Sequence, residues 1–356
     1  MKILNLSAKS LPAQRARQVI PPPASGRRMK SLLMRALARY VHPVLALTLL
    51  LVHHDFAQAA KPPIAINLKM REGELDVVFK DQKLMVYAFA EKQLKPYVRE
   101  LRTLSGENVL RDAPPDHLHH HGLMYAVAVN GINFWEEKDS PGIEKTVGVP
   151  SYLVGQNAWG HPEAQFVQVV HWLPPGKGGA TSSPLDALLF EQRTLTLTVD
   201  ERSQEVALRW EAEFELGPKA GKVKLSGANY NGLGLRLPES FNHVAKFQNS
   251  ANQPYTGNNS QNVIAAKWTS VSGTLGGHIV TLGLFGQPKN ARGDGFFFTM
   301  LDPFAYLTAT QGLDKQPLGY STGDKFKLSY LLTVYSTEKP RDFIQQRYEL
   351  WQRNKQ

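Results

Sequence analysis

From residue 61 to about 335 the chain runs in short stretches where apolar and polar residues alternate. That is the period of a strand with one buried face. Leu75–Phe79, Leu84–Phe89, Met124–Val129, Phe166–His171, Thr194–Val199, Glu205–Phe214, Ile279–Phe285 and Lys327–Val334 show it most clearly. They are rich in Val, Phe, Tyr and Thr and bounded by Gly, Pro, Asn or Asp. Asn130-Gly131 lies between two such runs and predicts a type I′ hairpin, which needs positive φ at both central residues. Asp200–Ser203 separates two more runs and predicts a second hairpin. Helical periodicity enters only at Pro340–Trp351, where Phe343, Ile344, Tyr348 and Trp351 recur close to i, i+4. Gly176–Ser183 and Asn249–Asn262 read as polar loops within the domain. The pattern predicts an all-β chain, one large antiparallel β-sandwich over residues 61–356 with a short C-terminal helix.

Composition sharpens this at the N-terminus. The chain has 356 residues, 42% of them hydrophobic and 20% charged, which excludes a wholly disordered protein. After residue 60 no apolar stretch reaches the roughly 18 residues of a membrane-spanning helix. The formal charge of +10 belongs mostly to residues 1–60, which hold nine Lys or Arg and a single acid, Asp55. The remainder carries 32 basic and 30 acidic residues, so the charge does not point to nucleic acid. Arg27, Arg28, Lys30, Arg35 and Arg39 precede a short apolar run, Val44–Val52, and then Ala57-Gln58-Ala59. This is the order of a cleavable export signal, with Met1 or Met29 as its start. A retained membrane anchor is the competing reading, and the apolar run is short for it. The expected location is the periplasm or the exterior. The absence of cysteine excludes thiolate metal sites, Cys nucleophiles and lipid attachment through Cys.

The densest chemistry lies in Asp116-His117-Leu118-His119-His120-His121-Gly122, where four of the 11 histidines fall within five residues. An extended segment would turn His117, His119 and His121 one way and His120 the other. Imidazoles gathered at the mouth of a strand can hold a sugar by its hydroxyls, exchange protons near neutral pH, or bind a metal. A metal would need further ligands from elsewhere, such as His161, His171, Glu191 or Asp302, because residues 122–132 contain no carboxylate. A solvated polar loop is the bland alternative.

Glu191 and Arg193 alternate on one strand face, where a structural ion pair competes with a site role. Arg236 is a candidate hydroxyl or carboxylate binder. Trp135 and Trp159 could stack on a sugar ring, against the default of core packing. No Gly-x-Ser-x-Gly elbow, phosphate-binding loop or zinc-finger spacing is present.

Asp116–Leu123, followed by Val129-Asn130-Gly131-Ile132-Asn133-Phe134-Trp135, resembles the signature of the PmoA-like family, labelled methane oxygenase. Looser matches are Glu191-x-Arg193, Gly232–Pro238 and a C-terminal helix ending in Trp351. Leu118 and His121 stand where that family usually has Pro and Arg. The resemblance implies a galactose-mutarotase-like supersandwich, a fold in which carbohydrate binding across one sheet face is common. By that analogy His119 or His120 and Glu191 act as acid and base. Asp116, His117, His121, Arg193, Arg236 and Trp135 are the candidate ligand-binding residues. Three readings stand: a carbohydrate-active or sugar-binding protein, a metal-dependent oxygenase using His117, His119 and His121, and a non-catalytic envelope module. No cofactor is assigned.

The signal makes a first prediction. N-terminal sequencing of the protein from its native host should find a chain beginning near Ala59 or Ala60. An intact N-terminus in the cytoplasmic fraction would refute it.

Overall fold

The computed structural model describes residues 65–179, 182–255, 262–293 and 295–353. The export signal expected before residue 61 lies outside these residues. Among the described residues the strands form three antiparallel sheets. The largest has nine strands, in the order Ile66–Arg71, Glu74–Phe79, Gln82–Ala88, Tyr97–Leu101, Leu123–Ala126, Gly232–Arg236, Tyr306–Thr310, Phe296–Met300 and Val263–Ala265. The second has eight: Lys246–Asn249, Trp268–Leu275, His278–Gly286, Lys325–Tyr335, Glu205–Leu216, Leu189–Asp200, Pro162–Leu173 and Ile143–Gln156. A four-stranded sheet joins Leu318–Ser321, Lys222–Ser226, Ala128–Val129 and Ile132–Asn133.

The two large sheets pack face to face. Tyr87 of the nine-stranded sheet meets Phe166 of the other with ring centroids 4.9 Å apart. Tyr125 likewise meets Trp172 at 6.0 Å and Phe214 at 5.8 Å. Alternation then sorts every strand. In Lys325–Tyr335, Leu332 and Val334 enter the core between the sheets, while Leu331 and Tyr335 face the other way. The C-terminal helix, Arg341–Arg353, covers that outer side with Ile344, Tyr348 and Trp351. Trp268 Nε1 donates to Gln345 Oε1 at 2.8 Å and so fixes the helix to the sheet. The all-β sandwich with one C-terminal helix is thus what the alternating pattern builds.

Both predicted hairpins form. Asn130 and Gly131 have φ of 51° and 80° and join Ala128–Val129 to Ile132–Asn133. The Asp200 carboxylate accepts from the Arg202 amide at 2.9 Å and closes the second turn. One predicted strand divides. Met124–Val129 becomes Leu123–Ala126 in the nine-stranded sheet and Ala128–Val129 in the small one, because the chain changes partner sheet at Val127.

The core contains charge. Arg193 points inward beside Leu195 and Leu197, with no exposure. Its Nε donates to Glu191 Oε1 at 2.6 Å, its Nη2 to Glu144 Oε2 at 3.1 Å, and its Nη1 to the Pro96 carbonyl at 2.7 Å. Trp172 Nε1 donates to the remaining Glu191 oxygen at 2.9 Å. One guanidinium balances one carboxylate. Burial, only partly opposed by Arg193, therefore pushes the second carboxyl, Glu144, well above the ordinary range. Removing the cation alone should be severe. Arg193→Met should lose about 3–5 kcal/mol in urea melts, because it strands buried carboxyls. Adding Glu144→Leu and Glu191→Leu should recover most of that loss. A mild single variant would disprove the triad's role.

Candidate functional site

The histidine segment is not extended. His117 N donates to the Pro114 carbonyl and His120 N to the His117 carbonyl, each at 2.9 Å, so the segment makes successive turns. The expected alternation of side chains fails for that reason. Three-residue spacing in turns instead stacks His117 on His120, with centroids 4.6 Å apart and planes 26° apart. His119 packs edge-on against His120 at 4.6 Å.

Backbone bonds sew this loop to the strand Gly232–Arg236. Arg111 N donates to the Arg236 carbonyl, Arg236 N to the Gly122 carbonyl, and Ala113 N to the His120 carbonyl. Gly122 is obligatory in this path, because a Cβ there would run into the Val98 carbonyl. Leu233 and Leu235 face the core between the sheets. Alternation therefore turns Gly234 and Arg236 to the outer face of the nine-stranded sheet. Tyr306, paired with Arg236 in register, lies on the same outer face.

That face carries a cluster of rings around one guanidinium. Arg236 is 1% exposed and sits 3.5 Å over the Phe304 ring. Its Nη2 donates to Asp116 Oδ2 at 2.8 Å and its Nη1 to His120 Nδ1 at 3.4 Å. His120 lies against Phe304 at 5.4 Å, Tyr306 at 5.3 Å and Trp135 at 6.2 Å. Gly234 makes room for the layer, since a Cβ would collide with the Tyr306 hydroxyl and the Trp135 ring. Arg236 Nε and Trp135 Nε1 are buried and have no hydrogen-bond partner among the described residues. Above this floor, Asp116 is exposed and His117 and His119 are half-buried, forming a rim.

Electrostatics divide the histidines. Burial, reinforced by the neighbouring His119 and His117 and by Arg236, pulls His120 down to about 2. Burial and His117 also lower His119. Both rings are neutral near pH 7. Against the pull of burial, hydrogen bonds from Arg236 and His117 hold Asp116 at about 2, as a carboxylate. His121 belongs to a separate network. Its Nδ1 donates to Asp112 Oδ1 at 3.1 Å and its Nε2 to Glu137 Oε1 at 2.9 Å, and its ring stacks on Tyr97 at 4.2 Å. Burial works against its charge, but the two carboxylate bonds prevail and raise its pKa. Glu137 also accepts from Lys95 Nζ at 2.7 Å and, despite burial, is held at about 2.

The structure therefore brings together Asp116, His117, His119, His120, Arg236 and Trp135, with Phe304 and Tyr306 added from a stretch that reads as plain core. It sets His121 apart, bound by Asp112 and Glu137. Glu191 and Arg193 do not join. They face the space between the sheets with no exposure, whereas Arg236 and His120 lie on the opposite side of the nine-stranded sheet. Both Glu191 oxygens are engaged by Arg193 and Trp172. The expected His–Glu191 acid–base pairing is accordingly corrected, since a sealed carboxylate in the core has no access to a ligand on the outer face. His161 lies by Asp200 at 3.9 Å, Asp302 by His243 at 3.5 Å, and His171 against Phe190, all away from the cluster's contacts. Among the described residues no group of three or more His, Asp or Glu is arranged to hold a metal ion.

The depressed His120 value fixes a pH response. An unfolded histidine takes up a proton below about 6.5, while folded His120 resists until about 2. Its contribution to stability is thus full above about 6.5 and falls as pH drops through that window. His121 has the opposite sign, being favourable below about 6.5 and lost as pH rises through its raised folded value. Thermal melts of wild type and His120→Gln at pH 7.5 and pH 5 should show a clearly smaller loss of Tm in the variant. Equal losses would contradict the buried neutral ring.

A family model described as "Family of unknown function (DUF6807)" matches residues 74–349. A search of the curated proteins finds no match. Among solved structures, the chain is similar to a GH36 alpha-galactosidase from Geobacillus stearothermophilus in complex with 1-deoxygalactonojirimycin. That pair has 11% identity and a TM-score of 0.41, covering 80% of this chain and 42% of that one. An alpha-galactosidase from Lactobacillus brevis has 8% identity and a TM-score of 0.39, covering 76% of this chain and 39% of that one. A galactose mutarotase related enzyme from Lactobacillus acidophilus has 9% identity and a TM-score of 0.23, covering 78% of this chain and 99% of that one. The chain spans about two fifths of the length of the alpha-galactosidases it matches.

Proposed function

The chain belongs to the family of unknown function DUF6807, and we propose that it is an exported carbohydrate-active or sugar-binding protein whose ligand docks on the Asp116–His119 rim. One observation carries the reading: an exposed polar rim stands over an aromatic floor with a buried, incompletely bonded guanidinium beneath it. A pyranose has apolar ring faces and a belt of hydroxyls. The aromatic floor suits the first, and the rim suits the second. Asp116 is an ionised acceptor, and the neutral His119 ring accepts a hydroxyl proton or a hydrogen bond. His120 already accepts from Arg236 through Nδ1, so its role is to orient the guanidinium.

The resemblance to the PmoA-like proteins enters through residues. Its two signature segments, carrying His120 and Trp135 15 residues apart, meet here at 6.2 Å.

A glycan array with the purified full chain tests this. At least one mono- or oligosaccharide should bind, and His119→Ala should weaken it about tenfold or more, the loss of roughly one good hydrogen-bonded contact. The melting temperature should stay nearly unchanged, because His119 is half-buried and its side chain makes no hydrogen bond among the described residues, only ring contacts with His117 and His120. A Tm drop without a change in affinity, or an array with no ligand, would overturn the proposal.

A further inference from the structure

The outer face of the eight-stranded sheet holds a groove of about 730 Å³, between the C-terminal helix and the turn after the edge strand Ile143–Gln156. It belongs to a different sheet from the histidine cluster and shares no residue with it. We propose that this groove is a second carbohydrate site, built for a neutral oligosaccharide chain.

The groove has a polar floor and apolar walls. Gln165, Thr196 and Arg209 stand opposite one another on neighbouring strands and form one cross-strand row. Gln165 Nε2 donates to the Thr196 hydroxyl at 3.1 Å, and Arg209 Nη2 reaches the same oxygen at 3.3 Å. In the next row the Thr198 hydroxyl donates to Glu163 at 3.1 Å. Such rows on an outer sheet face usually meet water. Here they end at Trp159, which is 60% exposed, and at Leu350 of the helix, 45% exposed.

Trp159 is held in place. The Asn157 side chain accepts from the Trp159 amide at 3.0 Å and from the His161 amide at 3.1 Å, which locks the turn that carries the indole. A large apolar ring kept in water by a fixed turn beside a polar floor is arranged for a flat partner with one apolar face.

The charges select the class of ligand. Three carboxylates line the groove, Glu163, Asp200 and Glu205, against Arg209 and Arg347. Glu205 is clamped by Arg347 at 2.9 Å, and Arg209 Nε lies 3.0 Å from Glu211. Both guanidiniums are engaged, so the groove offers no free cation to an acidic polymer, while Glu163 and Asp200, which have no Lys or Arg partner among the described residues, are left as acceptors for hydroxyl groups. Hydroxyl-rich, uncharged chains fit. A volume of this size accommodates a few sugar rings.

Affinity electrophoresis of the full chain in gels containing laminarin, xyloglucan or galactomannan, with alginate as the acidic control, tests the proposal. At least one neutral polysaccharide should retard the wild type. Trp159→Ala should weaken that retardation about tenfold, as should Thr198→Arg, which fills the floor. All variants are compared on a His119→Ala background, so that any retention by the rim proposed above is removed and the remaining retardation reports this groove. Circular dichroism of Trp159→Ala should match the wild type, because the indole is mostly exposed. Retardation that survives in Trp159→Ala, retardation by alginate alone, or none on any neutral polymer would overturn the inference.

Discussion

A guanidinium in an apolar layer must be neutralised and hydrogen-bonded, or the layer does not form. Arg236 imposes that requirement on the outer face of the nine-stranded sheet. Strand alternation places it there, 1% exposed, against the Phe304 ring. The only carboxylate bonded to it among the described residues is Asp116, which sits on a loop. The loop has to turn back on itself to deliver that oxygen, and its backbone bonds to the Gly232–Arg236 strand record the turn. The stacked histidines follow from the same folding-back. They are the side chains that fall on the inner curve of a loop anchored at Asp116.

Arg193 offers the contrast. It is as deeply buried, yet every direction around it is filled, with two carboxylates, a carbonyl and the Trp210 ring at 4.6 Å. That arrangement is closed, so its worth lies in holding the sheets in register. Among the described residues Arg236 has one carboxylate, one long bond to an imidazole and an unpaired Nε. Its partner Asp116 is open to solvent. The same residue type thus gives a sealed core element in one sheet and, in the other, a cluster open to solvent through Asp116. The difference is set by how many partners the fold supplies. Lys95 and Pro96 connect the two, since the Pro96 carbonyl accepts from Arg193 and Lys95 Nζ donates to the Trp135 carbonyl at 3.1 Å.

Most of the sandwich was legible in the sequence, because alternation survives wherever one strand face is buried and the other is wet. It failed where that condition fails. Gly232–Arg236 and Tyr306–Thr310 are buried on both faces and so show no alternation. The edge strand Ile143–Gln156 leaves Val149 and Leu153 exposed at 72% and 73%, which erases the polar side of the pattern. In the site, the segment Asp116–His121, Arg236 and Trp135 could be found because their residue types are conspicuous. Phe304 and Tyr306 could not, since aromatic residues in an aromatic stretch carry no mark of facing outward. Glu191 misled for the reciprocal reason: a period-2 pattern says that Glu191 and Arg193 share a face but not which face. Leu195 and Leu197, two and four residues on, held that information, because they continue the same row into the core.

His120 and His121 are adjacent in sequence but their pKa values are pulled in opposite directions, and this constrains what the proposed site can recognise. His121 meets carboxylates through both ring nitrogens, which raise its pKa, while His120 is walled by rings and a guanidinium and is neutral. His120 stays neutral over the mildly acidic to neutral range, and the two carboxylates favour the charged form of His121. The charges beneath the rim are therefore paired, with Arg236 against Asp116, and Lys95 and His121 against Asp112 and Glu137. A ligand arriving at this face meets paired charges and unspent hydrogen-bonding capacity. That combination rewards hydroxyl groups over ions, because a hydroxyl both donates and accepts and carries no net charge into the aromatic layer.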